Sequence, residues 1–397
     1  MIYKTIIYLI LASVFLSGCV GKREIDELAL VMAVGIDNGD DGKMKITAQV
    51  ARPADARGQT GAPSGQTGDP IWSASAEGET IFEAIRNLGT FSSRRVFWAH
   101  NYAIIISEDL AKKKGIADII DFFTRNPELR MRTWILVTPD DASEVVSTIT
   151  GLEVVPGEAI DKLFRYTSIT RQSPSTQILD VQSAFLSESS QPVIARVRLT
   201  DRGVSNKKPG QAGAYKQVEL AGAGVFKEDK LVGILKPEET RGLIPFIEGV
   251  ESGVVVLPCS KNSDAKVSVE LRSPIFEVNP SIKDGIPVFD ITFRIYGRLV
   301  EAGCPFSLKD RKEVQKLEEE VQTLLHDEIK TIVYKAQKEY KSDFIELGKV
   351  FNNHYPAEWK EFQPNWESVF QEASVSVEVK ADITDSSLLY KPTKPGE

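Results

Sequence analysis

The sequence predicts an α+β protein of two to three domains, in which mixed β-sheets are flanked by helices and one long helix lies near the C-terminus. Three observations carry that expectation. Through the first 200 residues, short apolar runs of strand character alternate with amphipathic segments of helical period. Composition then shifts abruptly over residues 201–214, where three glycines, a proline and two lysines suit a linker between domains. Finally, from Asp310 to Tyr340 the apolar residues Val314, Leu317, Val321, Leu324, Ile332, Val333 and Ala336 recur at helical spacing.

The elements follow in order. Leu28 to Ile36 and Lys45 to Val50 read as strands joined by the turn Asn38-Gly39-Asp40-Asp41-Gly42. Residues 52–70 are rich in Gly, Pro, Ser, Thr and Gln, which predicts a mobile loop. A strand at Ile71 to Ala76 precedes a helix from Glu79 to Leu88, whose Ile81, Ala84, Ile85 and Leu88 share one face. Next come a buried strand at Tyr102 to Ile106, a helix around Ile116 to Phe123, a strand at Thr133 to Val137 and a helix from Asp140-Asp141 to Ile149. Lys112-Lys113-Lys114 reads as a solvated loop, Pro156 to Leu186 as helical and irregular, and Pro192 to Leu199 as a strand. Beyond the linker, strands are expected at Val218 to Phe226, Leu231 to Leu235, Gly253 to Leu257, Val267 to Arg272 and Val288 to Val300, with a helix from Pro237 to about Ile247. The helix from Asp310 spans on the order of 45 Å at about 1.5 Å per residue, with Ser307 and Asp310 resembling a capping box. A last strand runs from Ala373 to Ile383, ahead of a tail. The expected domains are therefore residues 19–200, as one or two subdomains, and 215–384, with 385–397 disordered.

Residues 1–18 stand apart. An apolar run from Ile6 to Leu16 behind Lys4, closing in Leu16-Ser17-Gly18-Cys19, predicts a bacterial lipoprotein export signal with Cys19 as the acylation site. The run is well short of the roughly 20 residues a spanning helix needs. Two or more acyl chains hold a protein stably to a bilayer, so the expected covalent lipid on Cys19 tethers a chain that is otherwise an ordinary globular one.

Composition excludes several function classes. Hydrophobic residues make up 42% and charged residues 26%, and the net charge of −8 becomes −9 once Lys4 leaves with the signal, which disfavours nucleic acid as a partner. Cys259 and Cys304 follow the apolar segments Val254 to Leu257 and Ile291 to Val300, which read as candidate neighbouring strands. A disulfide and two buried free thiols both fit the sequence. The three histidines, His100, His326 and His354, stand apart from one another and from cysteine, so no metal site and no cofactor is expected. No nucleophile elbow or phosphate loop occurs, and Gly222-Ala223-Gly224 sits in an apparent strand, where glycine marks close approach between layers. The acid pairs Asp140-Asp141 and Glu238-Glu239 fall at helix starts, where they oppose the helix dipole. Binding, rather than catalysis, is what remains.

Four blocks then acquire meaning together. The first is the Cys19 lipobox with Arg23 to Leu28 and Val34-Gly35-Ile36-Asp37. Arg95, His100, Ile104 to Ala111 and Asp121 to Arg130 form the second. Gly222 to Gly233 with Glu239-Thr240-Arg241-Gly242-Leu243 is the third, and Asp343 to Gly348, Tyr355 to Lys360 and Trp366 make the fourth. In this order they resemble the Ger(x)C family, the C-subunit lipoproteins of spore germinant receptors, from about residue 19 to 383. Val20-Gly21 stands where that family often has Trp-Asp, and the insert from Gly58 to Gly68 is longer than expected. The resemblance implies three linked α+β domains with mixed sheets, no catalytic residues, and a subunit on the outer face of the spore inner membrane that assembles with A and B membrane subunits to respond to nutrients such as amino acids or sugars. The polar or aromatic members of the blocks, Arg23, Glu24, Arg95, Glu108, Arg125, Glu128, Arg130, Glu239, Arg241 and Trp359, are the candidate partner contacts. Scaffold roles compete at each of them. The alternative function is a lipoprotein that captures the nutrient itself for a membrane transporter.

Overall fold

The computed structural model describes residues 27–52, 71–148, 155–201, 216–249, 252–259, 264–304 and 309–386, with the single positions 3, 24, 153 and 306. Most of the expected signal and loop 52–70, Cys19 and Arg23, nearly all of the linker and the tail beyond Ser386 lie outside these residues.

The first sheet is built from β1 (Leu28–Asn38), β2 (Met44–Ala51), β3 (Ile71–Gly78), β4 (Arg95–Phe97), β5 (Ala103–Ser107), β6 (Trp134–Thr138), β7 (Val193–Asp201), β8 (Lys216–Lys227) and β9 (Lys230–Leu235). Their order is β3-β2-β1-β5-β6-β7-β8-β9, with β4 beside the start of β1. The contacts β1·β4, β1·β5, β5·β6 and β6·β7 are parallel and the outer pairs antiparallel. A strand with both neighbours parallel has both faces covered, and all five residues of β5 are buried. On one face pack α1 (Ile81–Leu88), α2 (Glu108–Lys113), α3 (Ala117–Arg125) and α7 (Ile178–Leu186); on the other, α4 (Ala142–Ser147) and α5 (Pro156–Phe164). Between them α6 (Thr167–Thr170) is a single turn.

Local chemistry fixes this layering. A Cβ at Gly35 would lie 2.7 Å from the Ala142 carbonyl carbon and oxygen, so only glycine lets α4 approach β1 this closely. Two residues on, Asp37 accepts from the Ala142 and Ser143 amides at 2.8 and 2.9 Å and so caps that same helix. Burial outweighs those two bonds and raises the Asp37 carboxyl above the usual carboxylate range. Beside it, buried Gln49 takes the Gly157 amide at 3.0 Å and donates to the Val146 carbonyl, joining the end of α4 to the start of α5.

The second sheet has the order β10-β11-β12-β13, from β10 (Ser252–Pro258), β11 (Lys266–Lys283), β12 (Ile286–Ala302) and β13 (Ser374–Ser386). Among the described residues, helices cover one of its faces. α9 (Arg311–Tyr334) lays Val314, Leu317, Val321, Leu325, Ile329 and Ile332 against it, and a π turn follows at Lys335–Glu339. Three short helices, α10 (Leu347–His354), α11 (Pro356–Phe362) and α12 (Trp366–Glu372), add a cluster of aromatic rings. α8 (Pro237–Ile247) lies between the two sheets. Cys259 and Cys304 are joined by a disulfide across a Cα separation of 6.3 Å.

Several expectations are corrected. Lys112-Lys113 belongs to α2, where ion pairs to Glu108 and Asp109 four residues back stabilise the helix, and Lys114 anchors on the Gly42 and Lys43 carbonyls. The strands before the two cysteines are not neighbours, since β11 runs between them. That strand continues to Lys283, past Ser273-Pro274, because a bulge there absorbs the proline. Asp310, accepting from Lys312 N at 2.9 Å, is itself the N-cap of α9, and Ser307 lies outside the described residues. The expected tail begins inside β13, and the expected linker joins two paired strands of one sheet, since β7 pairs β8. Ala223, Val225 and Leu235, at one end of β8 and β9, belong to the core of the second half, so the halves share hydrophobic surface.

Candidate functional site

One opening is a groove of about 1330 Å³ beside β4, at the start of β1 in the first sheet. Its position follows from β4, which pairs in parallel with the start of β1 and sets Arg95 opposite Leu28, with Glu27 on the rim. One wall is the outer face of α1. The helix buries Ile81, Ala84 and Leu88, which leaves Phe82 and Arg86 outside, the guanidinium 4.9 Å from the ring centre in a cation–π contact. α3 supplies the opposite wall through Phe122 and Arg125, Phe122 meeting Phe82 at 6.4 Å and Phe123 at 5.2 Å. Trp98 is buried beneath, against Phe123.

Charge on the rim is organised in pairs. Arg95 meets Glu128 at 3.2 Å, and Arg125 grips both oxygens of Asp121 at 2.9 and 2.8 Å. That bond holds the Asp121 carboxyl below, and the Arg125 guanidinium above, their ordinary values. Arg86 and Arg94 are exposed and have no carboxylate partner among the described residues. No histidine or cysteine lines the groove, and the described residues hold no group of three or more His, Cys, Asp or Glu suited to a metal. Guanidinium groups on an aromatic floor bind anions and flat apolar surfaces.

Of the expected contacts, Arg95, Arg125 and Glu128 come together here, with exposed Arg130 just beyond, while Glu24 is three residues before Glu27 and exposed. Of the rest, Arg23 lies outside the described residues, Glu108 and Trp359 are buried, and Glu239 and Arg241 are half-buried. Glu108 is buried, bridging Arg196 at 2.7 Å and Lys112 at 3.0 Å. Glu239 caps α8 through the Lys236 amide and meets Lys335 at 3.2 Å. Arg241 forms a two-pronged pair with Glu328 of α9. Trp359 is 3% exposed, packed 5.1 Å from Trp366. Glu108 and Trp359 are therefore corrected from surface contacts to fold determinants, because desolvation and packing already use their polar and apolar atoms; Glu239 and Arg241 are likewise tied to α9 and the π turn that follows it. Sequence reasoning missed Phe82, Arg86 and Arg94. The available signal was Phe82, an apolar side chain off the apolar face of its own helix.

Comparison with known proteins now decides the family. The descriptions "Spore germination protein N-terminal domain" and "Spore germination B3/GerAC like, C-terminal" match residues 21–199 and 221–387 in turn. The chain belongs to the Ger(x)C family. Spore germination protein KC of Bacillus subtilis (strain 168) is 26% identical over 397 residues, covering 98% of this chain and 97% of that protein. Spore germination protein A3 of the same organism is also 26% identical, over 96% of this chain and 97% of its own. The crystal structure of the GerBC protein superposes with a TM-score of 0.57 at 20% identity, covering 88% of this chain and 96% of that one, which shows the shared fold.

The Ger(x)C blocks divide by location. Gly35 and Asp37 of the first fix α4 on β1, as above. In the third, Gly222 has φ +98° and its Cβ would fall 1.9 Å from the Leu235 carbonyl oxygen, so β9 closes directly on β8. In the fourth, Asp343 accepts from the Leu347 and Gly348 amides and from the Trp366 indole at 2.9, 2.8 and 2.9 Å. Fully buried, its carboxyl is pushed up to about 6. The second block is the one whose polar residues reach the groove.

Proposed function

We propose that this chain is a non-enzymatic subunit of a nutrient germinant receptor, tethered by lipid on Cys19 to the outer face of the spore inner membrane and assembled there with A and B membrane subunits. The observation that carries the reading is the match of two consecutive Ger(x)C domains along the chain, together with relatives named as spore germination proteins over nearly their full length. The lipobox ending at Cys19 supports the tether. A tether raises the effective concentration of the folded domains at the membrane, so weak contacts to partners suffice. The nutrient-capturing alternative calls for a cleft between two similar lobes. The two sheets differ in strand order and coverage, and the groove lies within the first.

The test replaces Cys19 with Ala in the full chain. The variant is expected to leave the membrane fraction of spores and to impair nutrient-triggered germination, read as loss of refractility after nutrient addition. Normal membrane recovery and a normal response would overturn the reading.

A further inference from the structure

We infer that the groove beside β4 seats the protein on a bilayer of anionic phospholipid, next to its own anchor. The inference deepens the receptor reading, and rests on it through the tether at Cys19. Reach comes first: Glu27 on the rim is eight residue steps from Cys19, a span of at most about 28 Å at roughly 3.5 Å each. A chain anchored at Cys19 therefore holds this edge of the sheet within one small-domain diameter of the headgroups.

Charge is the second argument. The protein is acidic overall, yet the groove is lined by Arg86, Arg94, Arg95 and Arg125 against Glu27 and Glu128, with Asp121 paired to Arg125 and with Arg130 and Arg132 following just beyond. Arg86 and Arg94 are exposed without a carboxylate partner among the described residues. Guanidinium groups take phosphate oxygens in two-pronged fashion, and a basic cluster near the surface adds to an acyl chain the second signal that fixes orientation.

Exposed aromatic surface is the third. Phe82, on the groove wall, is 54% exposed, and so is Phe91, which stands between the lining residues Thr90 and Ser92 and edge-on to Trp72 at 6.3 Å. Exposed rings beside cationic side chains suit the boundary between headgroups and acyl chains.

The experiment uses the full mature chain from residue 19 with Cys19→Ala, so that binding does not depend on acylation. Flotation with phosphatidylglycerol–phosphatidylcholine vesicles is compared with phosphatidylcholine alone. Recovery at least about tenfold higher on the anionic vesicles is expected, and its loss at about 0.5 M NaCl. Arg86→Glu with Arg94→Glu should reduce that recovery about tenfold, and Phe82→Ser with Phe91→Ser several-fold, whereas Lys312→Glu with Lys360→Glu, on α9 and α11, should leave it unchanged. Circular dichroism of each variant verifies folding. Equal recovery on both vesicle types, no recovery on either, or full recovery of the arginine variant would overturn the inference; in those cases the cluster would face a protein subunit instead. Mass spectrometry of the native chain for acyl groups on Cys19 tests the tether separately, so the two failures are distinguishable.

Discussion

The two sheets bury their strands differently, and that difference divides the molecule into a part whose faces are both taken and a part with a face to offer. In the first sheet Ile104 and Ile106 point to one helical layer while Ala103 and Ile105 point to the other. In the second, β12 alternates, with Phe289, Ile291, Phe293 and Ile295 buried under α9 and Tyr296 and Val300 nearly half exposed on the reverse. A strand buried on both sides reads as a continuous apolar run, and one buried on a single side as an alternation. The first sheet therefore leaves its polar opening beside β4, in the groove, whereas the second carries a face that no other described element covers.

A one-sided sheet gains less from burial and should lean more on its cross-link. The disulfide closes a 45-residue span that contains the β11–β12 hairpin. Loop entropy for that span gives about 4 kcal/mol. Cys304→Ser should lower the stability of the second half by roughly this amount, with amide exchange accelerating in β10 to β12 and remaining slow in β5 and β6. Equal acceleration in both sheets would break the comparison, and Ala223, Val225 and Leu235 are the residues through which it would be transmitted.

Each half also contains a buried aspartate that caps a helix, which permits a sharper test. Asp37 holds α4 and Asp343 holds α10, and burial raises both carboxyls. A raised carboxyl contributes stability that is fully present below its unfolded value and lost as pH rises through the folded one. For Asp343 the window runs from 3.8 to about 6, so acidification across it should stabilise the second half by about 3 kcal/mol. Asp343→Asn should flatten that slope in urea midpoints. It should also destabilise the chain at neutral pH by about 1–3 kcal/mol, because an amide nitrogen would face the Leu347 or Gly348 N–H. A slope unchanged in the variant would assign it to the other carboxyls that burial raises, Asp37 and Glu248.

Much of this fold was legible because burial leaves a periodic trace. Alternation marked β12 and the spacing of Val314, Leu317 and Val321 marked α9. α2 left none, since Ser107-Glu108-Asp109-Leu110 runs straight from strand to helix without a breaker. The far half of β11 was hidden by Pro274, which marks an end in sequence and only a bulge in space. The groove was partly legible: Arg95, Arg125 and Glu128 stood out as members of one block. Their pairing across 33 residues required the parallel β1·β4 contact, which no local pattern announces. Trp359 and Glu108 were misassigned to the surface because polarity and aromaticity do not report burial.

The smallest expected effect sharpens the comparison most directly. Val254 and Val256 are 50% and 55% exposed on β10, and their partners Glu270 and Ser268 are polar, so among the described residues that face has no core of its own. Changing each valine to Ala should shift stability by no more than about 0.5 kcal/mol, the range of surface substitutions. Ile105→Ala, at a position closed on both sides, should cost about 2–5 kcal/mol, because it removes apolar contact and leaves a cavity. The two measurements share a chemistry, deletion of methyl groups from a strand, and differ in whether a second layer covers it. Should the β10 valines cost as much as Ile105 in the purified chain, the reverse face of the second sheet must be covered there, and the open face would be a contact between copies.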